Sequence, residues 1–225
     1  MPIYTKTADG WVEIQGTNTP PAPTYNEATG GVESIVDDYN GTGQRWKVHV
    51  FEVDTAPAVL TVTGSSGPFT TLVVAGGNGV GYFGGKVTSG GEVVENELTL
   101  AVGDSIVTVG DGGYNPDPGK DGVGGQSIFG GITASPSGTP GDPVPSNITG
   151  TEIQYGGNGN TSGTRGRGSV GVAGRATKGQ PGIVVVAYQI SDTDATVRGH
   201  TQGEITRKHY QLPVIEQEYV EVTDE

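Results

Sequence analysis

Gly79-Val80-Gly81-Tyr82-Phe83-Gly84 has the G-x-G-x-x-G spacing and follows the apolar run Leu72-Val73-Val74. In a dinucleotide site that spacing lets backbone approach a pyrophosphate held at the N-terminus of the next helix. The residues that follow are Gly85-Lys86-Val87-Thr88-Ser89-Gly90-Gly91, a composition that does not start a stable helix. Gly85-Lys86 also lacks the preceding glycine and the following Ser or Thr of a phosphate-binding P-loop. The motif therefore reads as a glycine loop, and no cofactor is expected.

The other chemistry-bearing side chains are scattered. The three histidines are His49, inside an apolar alternating run, and His200 and His209 near the C-terminus. None has the spacing of a zinc ligand pair, and a Ser-His-Asp arrangement is recognised only by geometry. Asp111, Asp117 and Asp121 lie in a Gly/Pro-rich stretch with many carbonyls, the chemistry of a calcium loop. Their spacing fits no EF-hand, and aspartate favours turns in any case, so no metal site is expected. Glu92, Glu95 and Glu97 are too close along one strand-like segment to flank a glycosidic bond. No catalytic residue is nominated, and the chain is expected not to be an enzyme. A polysaccharide-degrading activity is the alternative from another class.

Aromatics set beside glycines are the better candidates. Tyr82, Phe83, Tyr114, Phe129 and Tyr155 all have this setting. A flat ring on a loop can cover the apolar face of a sugar or a protein partner, and it can equally fill a core. These five are the candidates for surface recognition, with filling the local core or a subunit interface as the commoner role of such rings. Arg165, Arg167 and Arg175 concentrate positive charge in an acidic chain, and Arg165 and Arg167 are expected assembly contacts.

What must position these residues is unusual in composition. The chain has 225 residues, of which 41 are Gly and 14 Pro, and hydrophobic residues make up only 32%. Glycine loses the most backbone entropy on ordering and adds no side chain to a core. Ordered glycine segments need dense backbone hydrogen bonding or packing against neighbouring subunits. A formal charge of −13 argues against nucleic-acid binding, which needs clustered Lys and Arg, and against docking on an anionic membrane. There is no Cys, which excludes disulfides and thiolate chemistry. The sequence shows no signal-peptide pattern and no apolar run of about 18 residues, so no membrane insertion is expected.

The elements are strands. Residues 45–51 alternate, with Trp46, Val48 and Val50 against Lys47, His49 and Phe51. Residues 58–63 and 70–74 are β-branched runs closed by glycine. Residues 97–101 and 105–109 flank Val102-Gly103-Asp104, a hairpin signal. Residues 183–188 form a continuous apolar run, which suits a strand buried on both faces. These predict an all-β fold: a β-sandwich-like domain over 44–190 with long Gly-rich loops. Residues 1–23 read as an N-terminal arm with a Pro-rich linker, 24–43 as a connecting segment, and 191–225 as an acidic C-terminal tail. Tyr4, Trp11 and Ile14 in the arm and Tyr219 in the tail are expected assembly contacts. Residues 110–182 are too long for a structureless loop, and order through assembly is expected there.

The order of these features resembles the glycine-rich domain of bacteriophage tail, fibre and other virion proteins. The resemblance rests on residues 45–188: Leu72-Val73-Val74-Ala75-Gly76-Gly77-Asn78-Gly79, then Gly84-Gly85, then Leu98 to Gly110, then a Gly-rich tract closed by Gly179-Gln180-Pro181-Gly182-Ile183-Val184-Val185-Val186-Ala187-Tyr188. The opening Tyr4 to Ile14 is similar to those of structural proteins of marine phages, cyanophages among them. The tract departs from a pure poly-glycine pattern at Pro136, Pro140, Pro143 and Pro145. The resemblance implies a virion structural protein of tail, baseplate or fibre, made in the host cytoplasm. It implies a homo-oligomer, with a trimer favoured by analogy with fibres. The implied partners are other virion proteins and a host-surface polysaccharide or protein. A capsid-decorating or head-fibre protein is the alternative location.

Overall fold

The structure is a computed structural model that describes residues 4–7, 10–13, 25–54, 58–64, 67–82, 85–117, 120–136, 142–161 and 165–191. The protein is all-β. Fourteen strands and one 3-10 turn, Tyr39–Gly41, make up its regular structure among these residues, all strand pairs are antiparallel, and no α-helix occurs. No described helix is long and apolar enough to cross a membrane.

A five-stranded sheet runs in the order β4 (Val32–Val36), β5 (Arg45–Phe51), β14 (Ile183–Ser191), β7 (Pro68–Val74), β8 (Val93–Thr99). A three-stranded sheet is built of β3 (Ala28–Thr29), β6 (Val59–Val62) and β9 (Gly103–Ile106), with β6 central. The apolar run in β14 makes it the middle strand of the larger sheet, and Ile183 through Tyr188 are all buried. Successive side chains of a strand point to opposite faces. Val184, Val186 and Tyr188 accordingly enter one core with Phe51, Phe69 and Val73, against Ala28, Leu60 and Val62 of the smaller sheet. Val185, Ala187 and Ile183 enter a second core on the opposite face with Val48, Leu72, Ile148 and Tyr155. Each fully buried Val or Phe in these layers contributes about 1.5–3 kcal/mol.

Two hairpins complete the layers. β10 (Ser127–Phe129) and β11 (Ile132–Ala134) are joined by Gly130-Gly131, with φ of 56° and 83°. Positive φ at both central residues is what a tight two-residue hairpin turn demands. This hairpin delivers Phe129 and Ala134 to the first core. β12 (Val144–Ser146) pairs with β13 (Ile153–Tyr155), and this hairpin places Ile153 and Tyr155 at the second core. In the N-terminal segment, β1 (Tyr4–Thr7) pairs with β2 (Gly10–Glu13).

Two sequence expectations change. The hairpin expected across Val102-Gly103-Asp104 does not form: β8 pairs with β7 in the large sheet, and β9 pairs with β6 in the small one. Gly103, at φ 129°, carries the chain from one sheet to the other. The segment read as connecting, 24–43, contributes β3 and β4 to the two sheets.

A glycine bundle at one end of the sheets

Because the strands are antiparallel, the C-terminal end of β7, the N-terminal end of β14 and the N-terminal end of β8 lie at the same end of the large sheet. The Gly-rich segments leave from that end. Residues 76–80 run through their middle, and every N–H there is bonded to another segment: Gly76 to Gly125 O at 2.9 Å, Gly77 to Gln180 O at 2.9 Å, Asn78 to Ser89 O at 3.0 Å, Gly79 to Gly122 O at 2.8 Å and Val80 to Thr177 O at 2.9 Å. Residues three apart thus face the same neighbour: 76 and 79 bond 125 and 122, while 77 and 80 bond 180 and 177. Three residues per turn is the period of an extended polyproline-II-type helix, whose backbone is otherwise left to water. The same spacing recurs where Gly182 and Gly179 donate to Gly110 O and Gly113 O.

Close packing of this kind works only without side chains. An ideal Cβ on Gly76 or Gly77 would overlap the carbonyl oxygen of Asp111 or Arg167. The backbone bonds that order the region come from within a single chain, where the sequence reading looked to assembly for them.

Candidate functional site

Three connections emerge at the far end of this bundle. Residues 81–82 and 85–87 follow the central segment, residues 114–117 and 120–121 lie between two others, and residues 171–176 form a third. Gly85 N–H donates to Gly171 O at 3.0 Å, and Gly171 N–H donates to Lys86 O at 2.7 Å. The Lys86 ammonium meets Asp121 Oδ2 at 2.5 Å, tying the first connection to the second. Between them lies a cleft of about 320 Å³ lined by Asn78, Lys86, Thr88, Ser89, Asp121 and Val123. Its polar groups are largely used inside the chain: Asn78 Nδ2 donates to Ser89 Oγ at 2.8 Å, and Thr88 Oγ1 donates to Asn78 O at 2.6 Å.

Tyr82 and Tyr114 sit on these connections and are 42% and 56% exposed. Val123 and Val172, at 74% and 52%, add apolar surface on the same outer part of the bundle. This end can cover an apolar ligand face with rings and methyl groups. It carries the neutralised Lys86–Asp121 pair in place of a single-sign field.

The remaining sequence-predicted recognition residues are not at this end. Phe129 is fully buried and Tyr155 nearly so, and they belong to the first and second cores respectively. Burial also pushes the Tyr155 hydroxyl pKa up. Their expected surface role is corrected for one physical reason: the adjacent glycines form a tight turn at Gly130 and a bundle position at Gly156, and these hold the rings inward. Phe83 lies outside the described residues.

Arg165 and Arg167 act within the chain. Arg165 Nη2 forms an ion pair with Glu52 Oε1, at the end of β5 beside the bundle. Arg167 Nη1 donates to Thr161 O at 3.1 Å, and its own carbonyl accepts from Gln180 N–H. Ile14 and Tyr219 lie outside the described residues. Tyr4 and Trp11 occupy paired positions in the β1–β2 hairpin, opposite Glu13 and Lys6.

The three loop aspartates do not converge. Asp111 pairs with Lys178 at 2.6 Å, Asp121 with Lys86, and Asp117 with Lys120 at 3.5 Å. The hydrogen bond from Lys178 holds the Asp111 carboxyl below its usual range. Among the described residues no three acidic or histidine side chains are grouped to hold a metal ion.

His49 is fully buried. Its Nδ1 lies 2.7 Å from Gly30 O, and a carbonyl only accepts, so Nδ1 carries the proton. Nε2, the acceptor nitrogen of that neutral tautomer, lies 3.3 Å from the Tyr188 hydroxyl, whose oxygen accepts from Ala28 N–H at 2.8 Å. Burial pulls the His49 pKa down and pushes that of Tyr188 up to about 12. This is a buried pair whose polar atoms meet partners within the chain. His200 and His209 lie outside the described residues.

Sequence reasoning missed the Lys86–Asp121 pair, since partners 35 residues apart leave no local signal. Compared with known proteins, the chain matches no family model and no curated protein.

Proposed function

We propose that this protein is a non-enzymatic structural protein of a bacteriophage virion, located in the tail, baseplate or fibre, whose glycine bundle presents recognition loops to the host surface. One observation carries the reading: a bundle ordered mainly by backbone hydrogen bonds, rooted in a doubly packed sheet, ends in connections that expose Tyr82 and Tyr114. Packing of that density fixes the loops without spending side chains on an inner core, so ring-bearing residues are free to face outward. The ligand is a host-surface polysaccharide or protein, and the other partners are neighbouring virion proteins and further copies of the chain. The sequence resemblance to glycine-rich virion proteins points the same way.

The test is labelling of purified particles with antibody to this chain, together with competition of purified chain against particles for host cells. Labelled tails and reduced adsorption are the expected results. Labelled capsids would move the protein to the head, and unlabelled particles would end the reading.

A further inference from the structure

The large sheet has two outer strands, and they differ in what they offer. β8 carries Glu95 and Glu97 on either side of Asn96, and both are exposed. Pairing of β8 with a second copy about Asn96 would set Glu95 directly opposite Glu97, a repulsive contact. The edge is also covered just before β8 begins, where Glu92 N–H donates to Ser135 O at 3.0 Å.

β4 has none of these defences. Its five residues, Val32-Glu33-Ser34-Ile35-Val36, pair with β5 on one side, and among the described residues nothing pairs with the other. Val32 and Ile35 are 64% and 54% exposed. No Pro, Lys or bulge blunts this edge, the devices that usually prevent strand addition. The nearby charges are already neutralised within the chain: Glu33 binds Lys47 at 2.8 Å and Asp37 binds Arg45 at 2.7 Å.

We infer that β4 is a twofold interface, pairing antiparallel with β4 of a second copy of this chain about Ser34. In that register Val32 faces Val36 of the partner strand on one side of the joined sheet, and Glu33 faces Ile35 on the other. No like charges meet, and the exposed Val32 packs against the half-buried Val36 of the partner strand at both ends of the pairing. The two large sheets become one continuous sheet across the axis. An edge of five residues buries less than the roughly 1,200 Å² of stable interfaces, so the pairing is weak and reversible. The chain's net charge of −13 opposes it at long range, so added salt strengthens it. The inference stands apart from the recognition role of the bundle, which lies at the end of the sheet and not along this edge.

The experiment is sedimentation of the full chain over a range of concentrations at about 0.1 M and about 1 M salt. The expected mass rises from 23.0 kDa towards twice that value, more readily at high salt. Ile35→Glu sets a carboxylate against Glu33 of the partner strand and should hold the chain at 23.0 kDa, whereas Ile35→Val keeps a neutral β-branched side chain there and should preserve the rise. Amide exchange on the unaltered chain gives an independent reading, with residues 32–36 becoming more protected as concentration increases. A mass fixed at 23.0 kDa, a species of three times that mass, loss of association in Ile35→Val as in Ile35→Glu, or concentration-independent exchange along β4 would each overturn the pairing.

Discussion

Gly77 donates its N–H to Gln180 O at 2.9 Å, while an ideal Cβ on the same residue would overlap the carbonyl oxygen of Arg167. Two stretches of chain far from Gly77 in sequence thus close on it, and a methyl group has no room between them. Gly77→Ala must displace backbone that is itself hydrogen-bonded, so it is expected to cost about 3 kcal/mol or more, the upper range of overpacking. Gly174 is the comparison: nothing lies within 4 Å of its ideal Cβ, but its φ is +74°. Gly174→Ala should cost only the left-handed strain of about 1–2 kcal/mol. Denaturant unfolding of both variants measures the difference, and equal losses would mean that the bundle is loosely packed.

The tyrosines at the bundle end and the aromatics in the cores make opposite predictions. Tyr82→Ala and Tyr114→Ala remove exposed rings and should leave the unfolding midpoint nearly unchanged while lowering binding to host cells. Phe129→Ala empties a fully buried site and should cost about 3–5 kcal/mol. Melting curves paired with a cell-binding assay separate the two classes. Retention of full binding by the double tyrosine variant would remove these rings from recognition.

How much of this was legible in the sequence depends on which forces leave a local trace. β5, β6, β7 and β14 are visible because β-branched residues alternate or run continuously between glycines, and the double burial of β14 follows from its unbroken apolar run. β4 is hidden because Glu33 and Ser34 interrupt its apolar positions, as an edge strand allows. The hairpin expected at Gly103 fails because a turn signal says that the chain reverses and not which sheet receives it. Gly next to an aromatic is ambiguous for a similar reason. Beside Phe129 it makes a tight turn that points the ring inward, and beside Tyr82 it ends a bundle segment that leaves the ring outside. The period-three hydrogen bonding of residues 76–80 has no trace in residue types beyond the glycines themselves, since the partners lie up to about a hundred residues away.

His49 predicts a pH dependence. Its folded pKa lies below the ordinary value of 6.5, with burial as the main cause. The unfolded chain therefore binds the proton more readily, and folding is favoured above that value. Stability from this group is present above about pH 6.5 and is lost as pH falls through the folded pKa. The Lys47 ammonium beside the ring also disfavours its protonation, while Gly30 O and Glu33 at 3.7 Å favour it. Chemical denaturation of the unaltered chain and of His49→Gln between pH 8 and 5 isolates the effect. A decline below about pH 6.5 should be present in the former and flattened in the latter, and superimposable profiles would assign the pH response to other groups.

Ser127 joins the sheet to the bundle through one buried hydroxyl. Its Oγ donates to Val74 O at 2.6 Å and accepts from Gly110 N–H at 2.9 Å. Val74 ends β7, and Gly110 opens a bundle segment whose carbonyl takes the N–H of Gly182. Ser127→Ala removes little volume but leaves a buried N–H without a partner, a loss of about 1–3 kcal/mol. Because the lost bond sits at the junction, it should loosen the bundle more than the sheet. Amide exchange is expected to quicken at residues 110–113 and 179–182 while the amides of β5 and β14 keep their protection. Uniform acceleration across β5, β14 and the glycine segments would mean that bundle and sheet unfold as one cooperative unit, and that this hydroxyl stabilises the whole protein rather than the joint.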